Sequence, residues 1–435
     1  MEGRLKKNIP TLIILIIAGE MIYTLPYFRN YYYDVFLKDF HLTNTQMGSL
    51  GSVFGIACLI SYIFAGYVAD RWKTKHLLTL SLIVTGALGF TLLLYPPYSV
   101  LLLIYGAWGI TSIMTFWVAL IKAVRSLANE NEQGKAFGFF EGGRGASKVI
   151  ESALVLGLFA FVSRQLSDKM ALSTVIIFYS VFCILLGIII MFIYKDPEQN
   201  NSSVQANEKD HTKFNWDVLW KILKMPTTWL AAVLILTSYA MINSFYYITP
   251  YATAAFGAST IIAAALGYFS QYCRPVGSFT SGIIGDRIGI SNMVIVAYGL
   301  LAAGLAALIL LPGKPSLILL LLVFIAVVYV SMYALQATHF AILVEGDYPV
   351  ETTGTVAMPL MIIGYSGEIF MPIIAGACLD HWGGTTGYKV LFAILLGLTI
   401  VGLITAIIWQ RVTKEKRREI AIQRKERKAS KKLAI

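Results

Sequence analysis

Polar residues divide this chain into long apolar stretches, each about the twenty helical residues that cross a roughly 30 Å hydrocarbon core. Twelve qualify: 9–36, 44–69, 76–95, 98–124, 136–162, 170–194, 226–250, 259–284, 291–311, 316–343, 354–379 and 387–410. They predict an all-α membrane protein, with twelve transmembrane helices in two pseudo-symmetric six-helix bundles. The longest polar interruption, 195–225, contains Asn200, Asn201, Ser202, Ser203, Asn207, Glu208, Lys209 and Asp210, a composition too poor in apolar residues to fold alone. The expected organisation is an N-terminal bundle over 1–194, a cytoplasmic linker over 195–225, a C-terminal bundle over 226–410 and a basic tail over 411–435. The first stretch is too long for a signal peptide, lacks a small-residue cleavage site and contains Glu20 and Pro26, so it reads as a retained helix.

Composition sharpens this picture. Of 435 residues, 57% are hydrophobic and 14% charged, against about 45–50% and about 25% in soluble domains, which excludes a soluble enzyme. The net charge of +11 is concentrated at the ends, the tail from Arg411 holding eleven Lys/Arg against three Asp/Glu. No basic domain is left to grip nucleic acid. With both termini on one side, that side holds 25 Lys/Arg and the opposite side 5. This predicts a multi-pass protein of the cell (inner or plasma) membrane with both termini cytoplasmic. The four cysteines lie in apolar runs without a CxxC, as small buried side chains do. No metal or other cofactor is expected, and without a Ser/His/Asp or Cys/His constellation no enzyme is expected either. The expected partners are a small-molecule substrate, protons and the lipid bilayer, with the protein acting as a monomer.

An internal repeat relates the halves. Gly51, Gly66, Asp70 and Arg71 recur as Gly267, Gly282, Asp286 and Arg287, at a constant offset of 216. Parallel repeats of this kind place a substrate site between the halves near the bilayer midplane. Between spans two and three stands Gly66-Tyr-Val-Ala-Asp70-Arg71-Trp-Lys73-Thr-Lys75, and the second half has Gly282-Ile-Ile-Gly-Asp286-Arg287. This resembles the G-x-x-x-D-R-x-G-[RK]-[RK] signature of the major facilitator superfamily, and with twelve spans split six and six the resemblance covers essentially the whole chain. It implies the major facilitator fold, alternating access, and a gating latch at Asp70, Arg71, Asp286 and Arg287 that holds the cytoplasmic face shut. The alternative is that the basic residues merely set topology. Lys73 stands where the signature has glycine. Span four has Tyr105-Gly106-Ala-Trp-Gly109 without a preceding arginine, and span five lacks the proline motif of drug/proton antiporters, which argues against drug efflux.

Charges within spans are expensive in lipid and should face the bundle interior or a watery cavity. Glu20, Arg29, Lys122, Glu141, Arg144, Lys148, Glu151, Arg274 and Glu368 make five cations and four anions. At 100° per residue, Glu141, Arg144, Lys148 and Glu151 form one stripe, with Glu141–Arg144 and Lys148–Glu151 at pairing distance. This is either a self-neutralised charge network or one from which substrate displaces a carboxylate. Arg274 has no acidic residue nearby in its own helix. It needs an anion, or a partner such as Glu20 or Glu368. Arg29 and Lys122 could each bind substrate or reach a membrane surface. Glu20 and Glu368 are candidates for proton coupling, or for permanent pairing. Tyr23, Tyr27 and Tyr31 share a helical face, and Asn243, Tyr246 and Tyr247 cluster in span seven, as lining of a solute site or as interior packing.

The expected function is secondary active transport, by symport or antiport, of a small organic anion such as a phosphorylated sugar or carboxylate. The glycine-rich spans five and eleven, and Gly376-Ala-Cys-Leu-Asp380 ending span eleven, resemble the organic-anion and organophosphate branches of the superfamily. The alternatives are a proton-coupled transporter of a neutral sugar or amphipathic compound, a lipid flippase and a transporter-like solute sensor.

Overall fold

The computed structural model describes residues 4–129, 132–196, 216–339, 341–346, 348, 360–420 and 422. Most of the linker, the start of span eleven and the end of the basic tail lie outside them. The spans are α1 (Ile9–Asn30), α2 (Asn44–Arg71), α3 (Thr74–Leu94), α4 (Tyr98–Ser126), α5 (Gln133–Gln165), α6 (Asp168–Ile193), α7 (Pro226–Phe256), α8 (Thr260–Ile288), α9 (Ile290–Leu310), α10 (Pro315–Thr338), α11 (Leu360–Trp382) and α12 (Gly384–Val412). Eleven are both long and apolar enough to cross a membrane. The exception, α8, is long enough at 29 residues. Ser270, Gln271, Arg274, Ser278, Thr280 and Ser281 dilute its hydropathy, and α8 faces the other half rather than lipid alone. The linker is not wholly irregular, since Trp216–Lys224 forms a helix within it. That segment is richer in apolar residues than the polar run before it.

Two spans are broken where the site forms. α1 is helical over Ile9–Met21, restarts over Thr24–Tyr27 and tightens to a 3₁₀ turn over Phe28–Asn30. α7 is helical over Pro226–Ser244, passes through a 3₁₀ turn at Phe245–Tyr247 and resumes over Ile248–Phe256. Both breaks sit at a Tyr-x-x-Pro-Tyr sequence, Tyr23–Tyr27 and Tyr247–Tyr251. Proline withdraws an N–H and crowds the carbonyl one turn earlier. In α1 the Thr24 hydroxyl donates to the Met21 carbonyl, at the last residue before the break, at 2.7 Å.

The halves meet mainly through α2 against α11 and α5 against α8. Contact is tight at the end of the bundle remote from the chain termini. A Cβ at Gly48 would collide with the Pro372 carbonyl, and one at Gly376 with the backbone of Asn44. The Asp380 carboxylate, at the end of α11, accepts from the backbone N–H groups of Asn44 (3.0 Å) and Thr45 (2.7 Å). It also accepts from the Asn44 amide (2.8 Å) and the Thr45 hydroxyl (2.6 Å). An anion on these first α2 amides satisfies orphan donors and complements the helix dipole. A second clasp runs from the Thr260 hydroxyl to Asp168, at 2.7 Å. At the termini end the halves part: Gly66, Gly138, Gly142, Gly145 and Gly282 all face open space. The cleft between the halves is therefore closed at the far end and open at the termini end.

Candidate functional site

A narrow cavity lies between the halves on the far-end side of centre. It is lined by Tyr27, Arg29 and Asn30 of α1, Gly51 and Phe54 of α2, Asn243, Tyr246 and Tyr247 of α7, and Glu368 and Pro372 of α11. The break in α1 turns Arg29 inward. The residue is 6% exposed, and its guanidinium donates from Nη1 to the Met47 carbonyl at 3.3 Å and lies 5.2 Å from the Tyr105 ring centroid. A Cβ at Gly51 would stand 2.6 Å from Nη2, so glycine is what admits the side chain. Arg29 Nε is buried without an acceptor, and no carboxylate among the described residues lies within ion-pair distance. Glu368 accepts a hydrogen bond from the Tyr27 hydroxyl across the halves. Tyr247 donates to the Pro372 carbonyl at 3.0 Å.

The charges of α5 form a separate system, with Lys148 and Glu151 buried, Arg144 half-buried and Glu141 exposed. Arg144 pairs with Glu141 at 3.2 Å and Lys148 with Glu151 at 2.9 Å, as the helical spacing predicts. Glu20 of α1 stands between the two cations, 3.5 Å from Arg144 and 3.9 Å from Lys148. Arg144 also lies 5.0 Å from the Trp117 ring centroid. The Tyr179 hydroxyl donates to Glu151. From there tyrosine hydroxyls run to Tyr268 of α8 and on to Tyr32, each step 3.5 Å. Tyr31 is the hub between the cavity and this network. Its ring stacks on Tyr268 at 3.9 Å, meets Tyr246 at 5.9 Å and receives the Lys148 ammonium at 5.8 Å. Its hydroxyl accepts from the Gln271 amide at 3.1 Å.

Of the residues singled out by sequence, the cavity thus gathers Arg29, Tyr27, Asn243, Tyr246, Tyr247 and Glu368. Arg144 lies in the charge network with Glu141, Lys148 and Glu151. Glu20 lies there too, not beside Arg274. Tyr23 is held apart, its ring 6.3 Å from Trp117, because the unbroken helical face assumed for Tyr23, Tyr27 and Tyr31 is interrupted. Lys122 is outside the cavity. It donates to the Ala69 carbonyl at 3.1 Å and stands 3.6 Å from Asp70, clamping α4 to the end of α2. Arg71 turns back onto Tyr67 of its own helix, and Arg287 is exposed. Arg274 is half-buried on α8, and no hydrogen bond or ion pair from the described residues reaches it. All four cysteines are buried and free. Tyr268, Gln271, Tyr179 and Gly48, which admits α11, were not singled out. Gln271, a polar amide one helical turn before Arg274, was the available signal.

Two broken-helix halves around a polar centre, sealed at one end and open at the other, are the build of an alternating-access membrane transporter. The profile of the Major Facilitator Superfamily matches residues 12–367, and the chain belongs to that family. It is therefore a multi-pass membrane protein and a secondary transporter working by alternating access. It is 30% identical to the inner membrane protein YqcE of Escherichia coli strain K12 over 92% of this chain and 95% of that one. It is 29% identical to YihN, another inner membrane protein of the same strain, over 96% and 99%. Its fold matches a bacterial homologue of the human lysosomal transporter Spinster, solved inward-facing and unoccupied. The TM-score is 0.73 at 14% identity, covering 96% of this chain and 99% of that one.

Proposed function

We propose that the protein transports a small organic anion, with Arg29 as the primary anion ligand. The carrying observation is an arginine that is buried, lines the cavity between the halves, has an unbonded Nε and has no carboxylate at ion-pair distance among the described residues, Glu368 facing it only at longer range. Burying such a charge unpaired is unfavourable, and an anionic substrate supplies what the fold withholds. Tyr27, Asn243, Tyr246 and Tyr247 provide hydroxyl and amide groups for the rest of the molecule. With the termini cytoplasmic, as the Lys/Arg distribution has it, the open end of the cleft faces the cytoplasm. The superfamily latch then reads as released, with Asp70 held by Lys122 within its own half. Purified protein should gain thermal stability from phosphorylated sugars or carboxylates, and Arg29→Gln should lose that response. Stabilisation by neutral sugars or lysolipids alone, or an unchanged response in Arg29→Gln, overturns the assignment.

The hydrogen bond from Tyr27 to Glu368 favours a second element, proton coupling through Glu368. It joins a titratable group of the C-terminal half to the N-terminal half inside the same cavity, so rocking must break it. In proteoliposomes, Glu368→Gln should abolish the dependence of uptake on a proton gradient while retaining anion-induced stabilisation. Uptake that still follows the gradient in this variant removes Glu368 from that role. Glu20, held between Arg144 and Lys148, is assigned to the charge network.

A further inference from the structure

Of the nine charges within the spans, six are satisfied locally. Glu20, Glu141, Arg144, Lys148 and Glu151 form one ion-paired cluster of three carboxylates on two cations, and Lys122 holds Asp70. Three remain near the centre. Glu368 is hydrogen-bonded to Tyr27, while Arg29 and Arg274 have no carboxylate at ion-pair distance among the described residues. The two arginines belong to different halves and different depths. Arg29 packs on Gly51, whose repeat equivalent is Gly267, and pseudo-symmetry sets those glycines at the same level. Arg274 lies seven residues beyond Gly267, about 10 Å further toward the open end at 1.5 Å per residue. It shares the helical face of Gly267 and Gln271, both of which meet Tyr31. Tyr246 lines the Arg29 cavity and lies within electrostatic reach of Arg274.

We propose that the substrate carries two anionic groups at opposite ends of a short polar body, one for Arg29 in the closed cavity and one for Arg274 in the open cleft. This rests on the anion reading above and narrows it to bis-anions, such as phosphorylated sugar acids or dicarboxylates. The geometry suits alternating access. A bis-anion entering from the open end meets Arg274 on the C-terminal half and Arg29 on the N-terminal half, bridging the two bodies that must move together. A mono-anion satisfies one guanidinium and leaves the other without a partner.

The test titrates matched triads against purified full-length protein. One triad is 6-phosphogluconate with glucose 6-phosphate and gluconate. The other is 3-phosphoglycerate with glycerol 3-phosphate and glycerate. In at least one triad the bis-anion should bind about tenfold or more tighter than either mono-anion. Arg274→Gln should bring the bis-anion down to mono-anion affinity and leave the mono-anions within about twofold, while Arg274→Lys should retain part of the gain. Bis-anions binding no tighter than their mono-anions in both triads overturn the proposal, even without the variants. So does a loss in Arg274→Gln shared equally by all ligands. If mono-anions bind through Arg29 under either result, the anion reading stands and only the bis-anion proposal falls. If no anion binds, or Arg29→Gln changes nothing, the anion reading falls as well.

Discussion

Replacing Lys148 with methionine is expected to be the most destabilising single change among the buried charges. Lys148 is the shared cation of two buried carboxylates, Glu151 at 2.9 Å and Glu20 at 3.9 Å. Glu20 has a second cation in Arg144, but Glu151 has no other at ion-pair distance among the described residues. Removing one member of a buried ion pair costs about 3–5 kcal/mol, because the survivor is left charged and desolvated. The ammonium contact with the Tyr31 ring would be lost as well. Glu20→Gln should cost far less, on the order of 1 kcal/mol. Each cation keeps another carboxylate in that variant, Arg144 with Glu141 and Lys148 with Glu151. Thermal unfolding of the purified variants in detergent should therefore rank Lys148→Met well below Glu20→Gln. Adding Glu151→Gln to Lys148→Met should recover much of the loss, since both charges of the tight pair then go together. Equal destabilisation by Glu20→Gln, or no recovery in the double variant, would sink this account of the network.

The contrast between Lys148 and Glu20 also marks where sequence stopped being legible. The two α5 pairs are local, three residues apart on one helix, so helical geometry alone predicts them. The same holds for the spans, which hydropathy defines, and for the repeat. Glu20 could not be placed in this way, because its partners come from α1 packing on α5, a contact between helices more than a hundred residues apart. Lys122 was ambiguous for a related reason. Its depth was readable, but whether it turns to the cavity or to the end of α2 depends on how α4 and α2 meet. The face shared by Tyr23, Tyr27 and Tyr31 assumed an unbroken helix, and the break at Pro26 redistributes them. The weak apolar signal of α8 has the same origin as its interest: Gln271 and Arg274 lower its hydropathy because they face the other half. Tyr268 gave no signal at all, since a tyrosine in a span is as readily packing as site.

The far-end closure is the second place where a single atom should matter a great deal. Gly48 lies against the Pro372 carbonyl so closely that any Cβ collides with backbone, which cannot swing away as a side chain can. Gly48→Val should therefore penalise only the state in which α2 and α11 are in contact there. Overpacking of this kind costs about 1–3 kcal/mol, equivalent to about a 5- to 150-fold shift toward the far-end-open state. Asp380→Ala acts on the same contact through its polar rim. It removes four acceptor interactions with Asn44 and Thr45, but at an exposed position where water replaces much of what is lost. About 1 kcal/mol and about a fivefold shift are expected. Spin labels at the exposed Lys38 and Lys314, one on each half, report the separation. The native cysteines are buried and replaceable for the purpose. The longer-distance population should rise strongly in Gly48→Val and modestly in Asp380→Ala. The order discriminates between causes: a larger effect from Asp380→Ala would mean that the carboxylate cap, rather than close backbone approach, holds the far end shut. An unchanged distance distribution in both variants would mean that neither does, and that the Asp168–Thr260 clasp and the tyrosine contacts carry the closure.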